Sequence, residues 1–186
     1  MKISMRGPWS CRSLLAAVGA VGLLVAVAGS AAAEDLERAH LLEVRNAVLK
    51  EGKVALEKAI KTAEKSGKPV AASYDLKDGK LRLSVWVATP GGPAEVVIDH
   101  KSGKVVGTPA PLTGADAAAA KAAETALATA KLSLADAVLK EKPDKKSKGI
   151  SVTVATADGR PKGTLVYAVP GPTSGAWSMS VGYFLD

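Results

Sequence analysis

The chain predicts an α+β fold made of two repeated units, each a helix packed on an antiparallel β-meander and each preceded by an additional helix. Three observations carry that prediction. Ala55-Leu56-Glu57-Lys58-Ala59-Ile60 recurs as Ser133-Leu134-Ala135-Asp136-Ala137-Val138, at an offset of 134 − 56 = 78. Each copy is followed by a basic loop and then by alternating apolar segments broken at Asp-Gly, with Asp78-Gly79 and Asp158-Gly159 at an offset of 158 − 78 = 80. Matches that keep their order at nearly one spacing point to duplication of a supersecondary unit. A two-stranded hairpin is marginal in water, so each meander needs the apolar stripe of its neighbouring helix. Whether the two sheets join is open at this level.

The first 33 residues read as a leader. Lys2, Arg6 and Arg12 precede an uncharged apolar run from Leu14 to Ala28, and Ala31-Ala32-Ala33 offers a small-residue cleavage site before Glu34-Asp35. That order is the pattern of a secretory signal peptide; an uncleaved anchor is the alternative. Cleavage after residue 33 removes three bases, no acid and the lone Cys11, so the net charge falls from +7 to +4 and neither disulfide nor thiol chemistry remains. The expected protein is a bacterial periplasmic or secreted one, without stable membrane insertion after cleavage.

The later elements follow from periodicity. Asp35 starts a helix to about residue 50, with Leu36, Ala39, Leu42, Val44, Ala47 and Val48 at three-to-four spacing. Leu56, Ala59, Ile60 and Ala63 line one face of a second helix, stopped by Gly67 and Pro69. The period then becomes two: Val70 to Leu76, and Leu81 to Val87, joined by the Asp78-Gly79 turn. Ala94 to Ile98 is a third strand, and Asp99 to Gly103 turns into Lys104-Val105-Val106. Residues 34–107 thus form the first helix and first unit, 108–114 a Pro/Gly linker, and 115–186 an alanine-rich helix followed by the second unit. In that unit Ser133 caps the helix Leu134 to Lys142, with Asp136 three residues on. Ile150 to Val154, Leu165 to Val169 and Trp177 to Tyr183 are its strands.

Residues 55–107 resemble the PepSY domain. The resemblance is carried by Leu56-Glu57-Lys58-Ala59-Ile60, Asp78-Gly79, Leu83-Ser84-Val85-Trp86-Val87 and Ile98-Asp99-His100-Lys101-Ser102-Gly103-Lys104-Val105. The second unit is similar through Leu165-Val166-Tyr167-Ala168-Val169 and Phe184-Leu185-Asp186, with no Ser-Gly-Lys counterpart after them. The resemblance implies an exported module and, as proposed for that family, inhibition or regulation of a peptidase. Fold does not fix function, so these remain expectations.

No catalytic residues are expected, and no metal site or cofactor. Beyond Glu34 there is no cysteine, and His40 and His100 have no companions at ligand spacing. Gly91-Gly92 precedes a strand, whereas a phosphate loop precedes a helix. Lys140 to Lys148 carries five lysines but is interrupted by Glu141 and Asp144 and lacks aromatics, so it reads as a solvated loop and no nucleic-acid partner is expected. Asp99 reads as a residue that bonds its own turn.

The candidate partner-binding residues are Trp86, Arg82 and Ser84. Strand parity sets them opposite Leu81, Leu83, Val85 and Val87, on the face away from the helix. A large aromatic beside a cation suits a peptide-binding face; packing of Trp86 under another element is the competing reading. The expected function is a non-catalytic interaction module that binds or regulates a peptidase or another envelope protein. The alternative is a structural or small-ligand-binding envelope protein, with a pocket between the units lined by Trp86, Tyr167 or Trp177.

Overall fold

Two tight turns organise the sheet. Asp78 and Gly79 have φ of 52° and 70°, and Asp158 and Gly159 have 53° and 72°. Successive left-handed residues are what a two-residue hairpin requires, and Asp-Gly supplies them with little strain. The computed structural model describes residues 31–171 and 178–185, with the side chains of 36–171 and of Leu185. The elements are α1 (Ala31–Glu51), α2 (Leu56–Ala63), β1 (Lys68–Lys77), β2 (Lys80–Thr89), β3 (Gly92–Ile98), β4 (Val105–Pro111), α3 (Gly114–Leu127), α4 (Leu134–Lys140), β5 (Lys148–Ala157), β6 (Arg160–Ala168) and β7 (Ser178–Phe184). The fold is α+β. The proposed leader falls on residues 1–30, outside the described residues, except for its last three, which begin α1.

All seven strands form one antiparallel sheet in the order β4-β3-β2-β1-β5-β6-β7. The two sheets left separable by the sequence therefore join at the centre, where Ala72 faces Val152 and Ser73 faces Ser151. The two hairpins keep one register at an offset of 80. Lys68 pairs with Ala88 and Lys148 with Ala168, and the ladder slips between Pro69 and Ala71 in one hairpin and between Gly149 and Ser151 in the other.

The segment 108–114, expected as a linker, is half strand. Ala110 and Pro111 lie opposite Glu95 and Ala94 in β3. Proline is allowed there because β4 is an edge, with one side of its backbone unpaired.

Alternation decides which residues enter the core. Leu81, Leu83, Val85 and Val87 of β2, Ala94, Val96 and Ile98 of β3, Val152 of β5 and Leu165 and Tyr167 of β6 are all buried. They join Leu56, Ala59, Ile60 and Ala63 of α2 and Leu134, Ala137 and Val138 of α4 in a single cluster. Gly149 explains how closely α2 approaches β5: a Cβ there would stand 3.0 Å from Leu56 Cβ. From α3, Ala119, Ala120, Ala123, Ala126 and Leu127 are buried, so the alanines serve close packing. The Ser133 Oγ accepts the Asp136 N–H at 3.1 Å and donates to the Asp136 carboxylate at 2.7 Å, a cap variant in which the short acid holds the capping hydroxyl.

Single contacts tie the remaining segments down. Arg45 of α1, 5% exposed, donates to the Val169 carbonyl at 2.7 Å. Lys148 Nζ donates to the carbonyls of Val48, Leu49 and Gly52 at 3.2, 3.2 and 2.8 Å, neutralising the carbonyl end of α1. Leu185 is fully buried, and its carbonyl accepts the Lys131 N–H at 2.7 Å.

Gly67 is required for a close approach. A Cβ there would meet the Ala88 carbonyl oxygen at 2.5 Å, whereas at Gly91 the nearest atom is 3.8 Å away. Gly67→Ala is expected to cost about 1–3 kcal/mol, as an overpacked backbone contact. Gly91→Ala should stay within about 0.5 kcal/mol of the parent. Urea unfolding midpoints of the two variants check this; equal midpoints would contradict the reading.

Candidate functional site

β2 carries the predicted residues on its second face. Arg82, Ser84 and Trp86 alternate with the buried Leu81, Leu83, Val85 and Val87, as the strand's period of two demands. Trp86 lies opposite Ala71 of β1 and Glu95 of β3, and Ser84 lies opposite Ser73 and Val97. Arg82 lies opposite Asp75 of β1, but its ion pair is not with that residue. Its guanidinium reaches along the strands to Glu95 at 2.6 Å, with both side chains mostly buried. Ser84 stands between the two ends of that bridge and is only 8% exposed. The structure thus brings Arg82, Ser84 and Trp86 onto one face and adds Glu95, which strand parity on β2 could not reveal.

Trp86 is half-buried and touches the margin of the core. It is neither sealed inside nor fully presented. At the offset of 80 the second hairpin has Lys162, Thr164 and Val166 on the same face, so nothing there matches the indole. The buried aromatics are exchanged between the halves in a different way. Tyr74 corresponds to Val154, and Tyr167 corresponds to Val87. Each tyrosine fills the core of its own half and ties a carbonyl above the sheet: Tyr74 donates to Val54 at 2.5 Å and Tyr167 to Val138 at 2.8 Å. Burial, with the charge of Glu57 adding, pushes the Tyr74 phenol above its ordinary value of 10.0. Burial does the same to Tyr167, helped by Glu141 and Glu57. Trp177 lies outside the described residues.

The β4 edge is poorly suited to adding a strand. Every residue of β4 is exposed, Val106 to 52%. However, the β3–β4 register shifts between Glu95 and Val97, Gly107 takes φ of 72°, and Pro109 and Pro111 cannot donate. A bend and prolines are the usual protection of a sheet edge.

The histidines are apart. His40 Nε2 lies 2.9 Å from Asp75 Oδ1 at the surface. The His100 carbonyl accepts the N–H groups of Lys53 and Val54 at 3.0 and 3.1 Å, which fastens the β3–β4 turn to the start of α2. The Asp99 carboxylate sits in that turn, held below the usual range by the Ser102 hydroxyl and N–H and by the Lys101 N–H. Among the described residues, no group of three or more His, Cys, Asp and Glu could hold a metal ion, and no helix is long and apolar enough to cross a membrane.

A recess lies between the halves; Tyr167 lines it, as the small-ligand alternative expected, Trp86 does not, and its lysines were not expected. It has a volume of about 210 Å³ and is walled by the Gly52–Glu57 approach to α2, by the α4–β5 loop and by Tyr167. The run Lys140 to Lys148 was its signal, read as a solvated loop because Lys53 is brought beside it only by the fold.

No family model, curated protein or solved structure matches the chain, so these comparisons do not identify a PepSY domain.

Proposed function

We propose that the protein is an exported, non-catalytic interaction module, built from two diverged copies of one PepSY-like unit. It binds a peptide segment of a peptidase or of another envelope protein. The observation that carries this reading is the position of Trp86, half-buried on the strand face opposite the core, with Glu95 and Arg82 beside it. An indole with both an apolar body and solvent access, next to paired charges, suits recognition of an extended chain. The common register of the hairpins at an offset of 80 supports the duplication. Val166, at the position of Trp86 in the second hairpin, supports a contact on the first half.

Peptides selected by display against the protein test the proposal. Trp86→Ser is expected to weaken a selected peptide at least about 10-fold, the effect of losing a central aromatic anchor. Lys80→Ser, at the far end of β2, should leave its affinity unchanged. Failure to select any peptide, or equal binding by both variants, would sink the reading. Inhibition of envelope peptidases by the protein, abolished by Trp86→Ser, would assign the regulatory role.

A further inference from the structure

We infer that the recess between the two halves is a binding site for a small soluble molecule bearing a phosphate group. Five lysines line it: Lys53, Lys142, Lys145, Lys146 and Lys148. Lys148 is committed to the carbonyl end of α1 through three hydrogen bonds. None of the other four is in an ion pair with a described residue. Glu57 is the one acid in the lining. The nearby Asp144 turns its carboxylate onto the N–H groups of Ser147 and Lys146, at 2.7 Å each, and these, with the Ser147 hydroxyl, hold it ionised below the usual range. The recess therefore gathers more positive charge than its own acids offset, and gathered like charges repel until an anion joins them.

Two uncharged features point the same way. The N-terminus of α2 opens here, with Ala55 at the cap position and no side chain bonded to its N–H groups. Free N–H groups at the positive end of a helix favour an anion. Ser147, in the lining, is 1% exposed; its Oγ lies by the Asp144 carboxylate without completing a hydrogen bond. A bound oxyanion would give that hydroxyl an acceptor. The volume, about 210 Å³, equals that of roughly seven liquid waters at ~30 Å³ each. That admits a phosphate with a small substituent, and none of Arg82, Ser84, Trp86 and Glu95 lines the recess, so this site is separate from the Trp86 face.

Calorimetric titration of the protein with pyrophosphate at low salt tests the site. Saturable binding of one anion per chain is expected. The variant combining Lys142→Ala, Lys145→Ala and Lys146→Ala should bind at least 10-fold more weakly with an unchanged melting temperature, since these side chains make no ion pair with a described residue. Absence of saturation, several weak equivalent sites, or undiminished binding by the triple variant would overturn the inference. Flotation with phosphatidylglycerol vesicles is the second arm. Vesicle binding without pyrophosphate saturation would overturn the soluble-ligand assignment.

Discussion

Replacing Tyr167 by Ala is expected to lower stability by about 3–5 kcal/mol, the usual cost of emptying a large aromatic site in a core. The ring is fully buried, and it reaches from β6 to the last turn of α4 through the Val138 carbonyl. A change of that size should lower the melting temperature by on the order of 10 °C in a domain of this length. Tyr167→Phe separates packing from the hydrogen bond and should cost about 1 kcal/mol. If Tyr167→Ala melted within a degree or two of the parent, the second half could not be packed as described.

The same tyrosines predict an alkaline limit. Both folded phenols have pKa values raised above the unfolded value of 10.0. The fold thus favours their neutral forms, and this contribution is complete below pH 10 and is lost as the pH rises beyond it. The urea midpoint should therefore fall above about pH 10. A variant carrying Tyr74→Phe and Tyr167→Phe should start lower at neutral pH and fall less steeply. A parallel fall in both proteins would contradict the assignment.

Leu56→Ala is the second large effect, expected at about 2–5 kcal/mol. α2 has eight residues and no side-chain cap, so it is too short to persist without packing. Leu56 is its first residue, fully buried and seated on Gly149 of β5. The substitution should loosen both halves together, because the side chain belongs to one and its seat to the other. Amide exchange checks this. Protection should fall in β1 and β5 alike; a loss confined to β1 would show that the halves are energetically separate.

Much of the local structure was legible. Asp-Gly turns demand left-handed backbone, and period-two alternation demands one buried face, so the hairpins and the orientation of Arg82, Ser84 and Trp86 followed from spacing. Ser133 with Asp136 announced the start of α4. Less was legible where long-range pairing overrides composition. Pro109 and Pro111 look like a linker, yet β4 continues through them because an edge strand tolerates missing donors. The Arg82–Glu95 bridge joins residues of different strands through a register that no single strand encodes.

The largest gap concerns how the two halves meet. The recurrence near offsets of 78 and 80 was readable because turn chemistry and alternation are short-range patterns. The pairing of β1 with β5 was not, since either meander could have ended in an edge. That pairing places Gly149 under Leu56 and Lys148 at the end of α1. It also sets the lysines of the α4–β5 loop around the opening of α2. Charge along a chain shows only composition; its concentration at one place depends on which distant segments a shared sheet brings together.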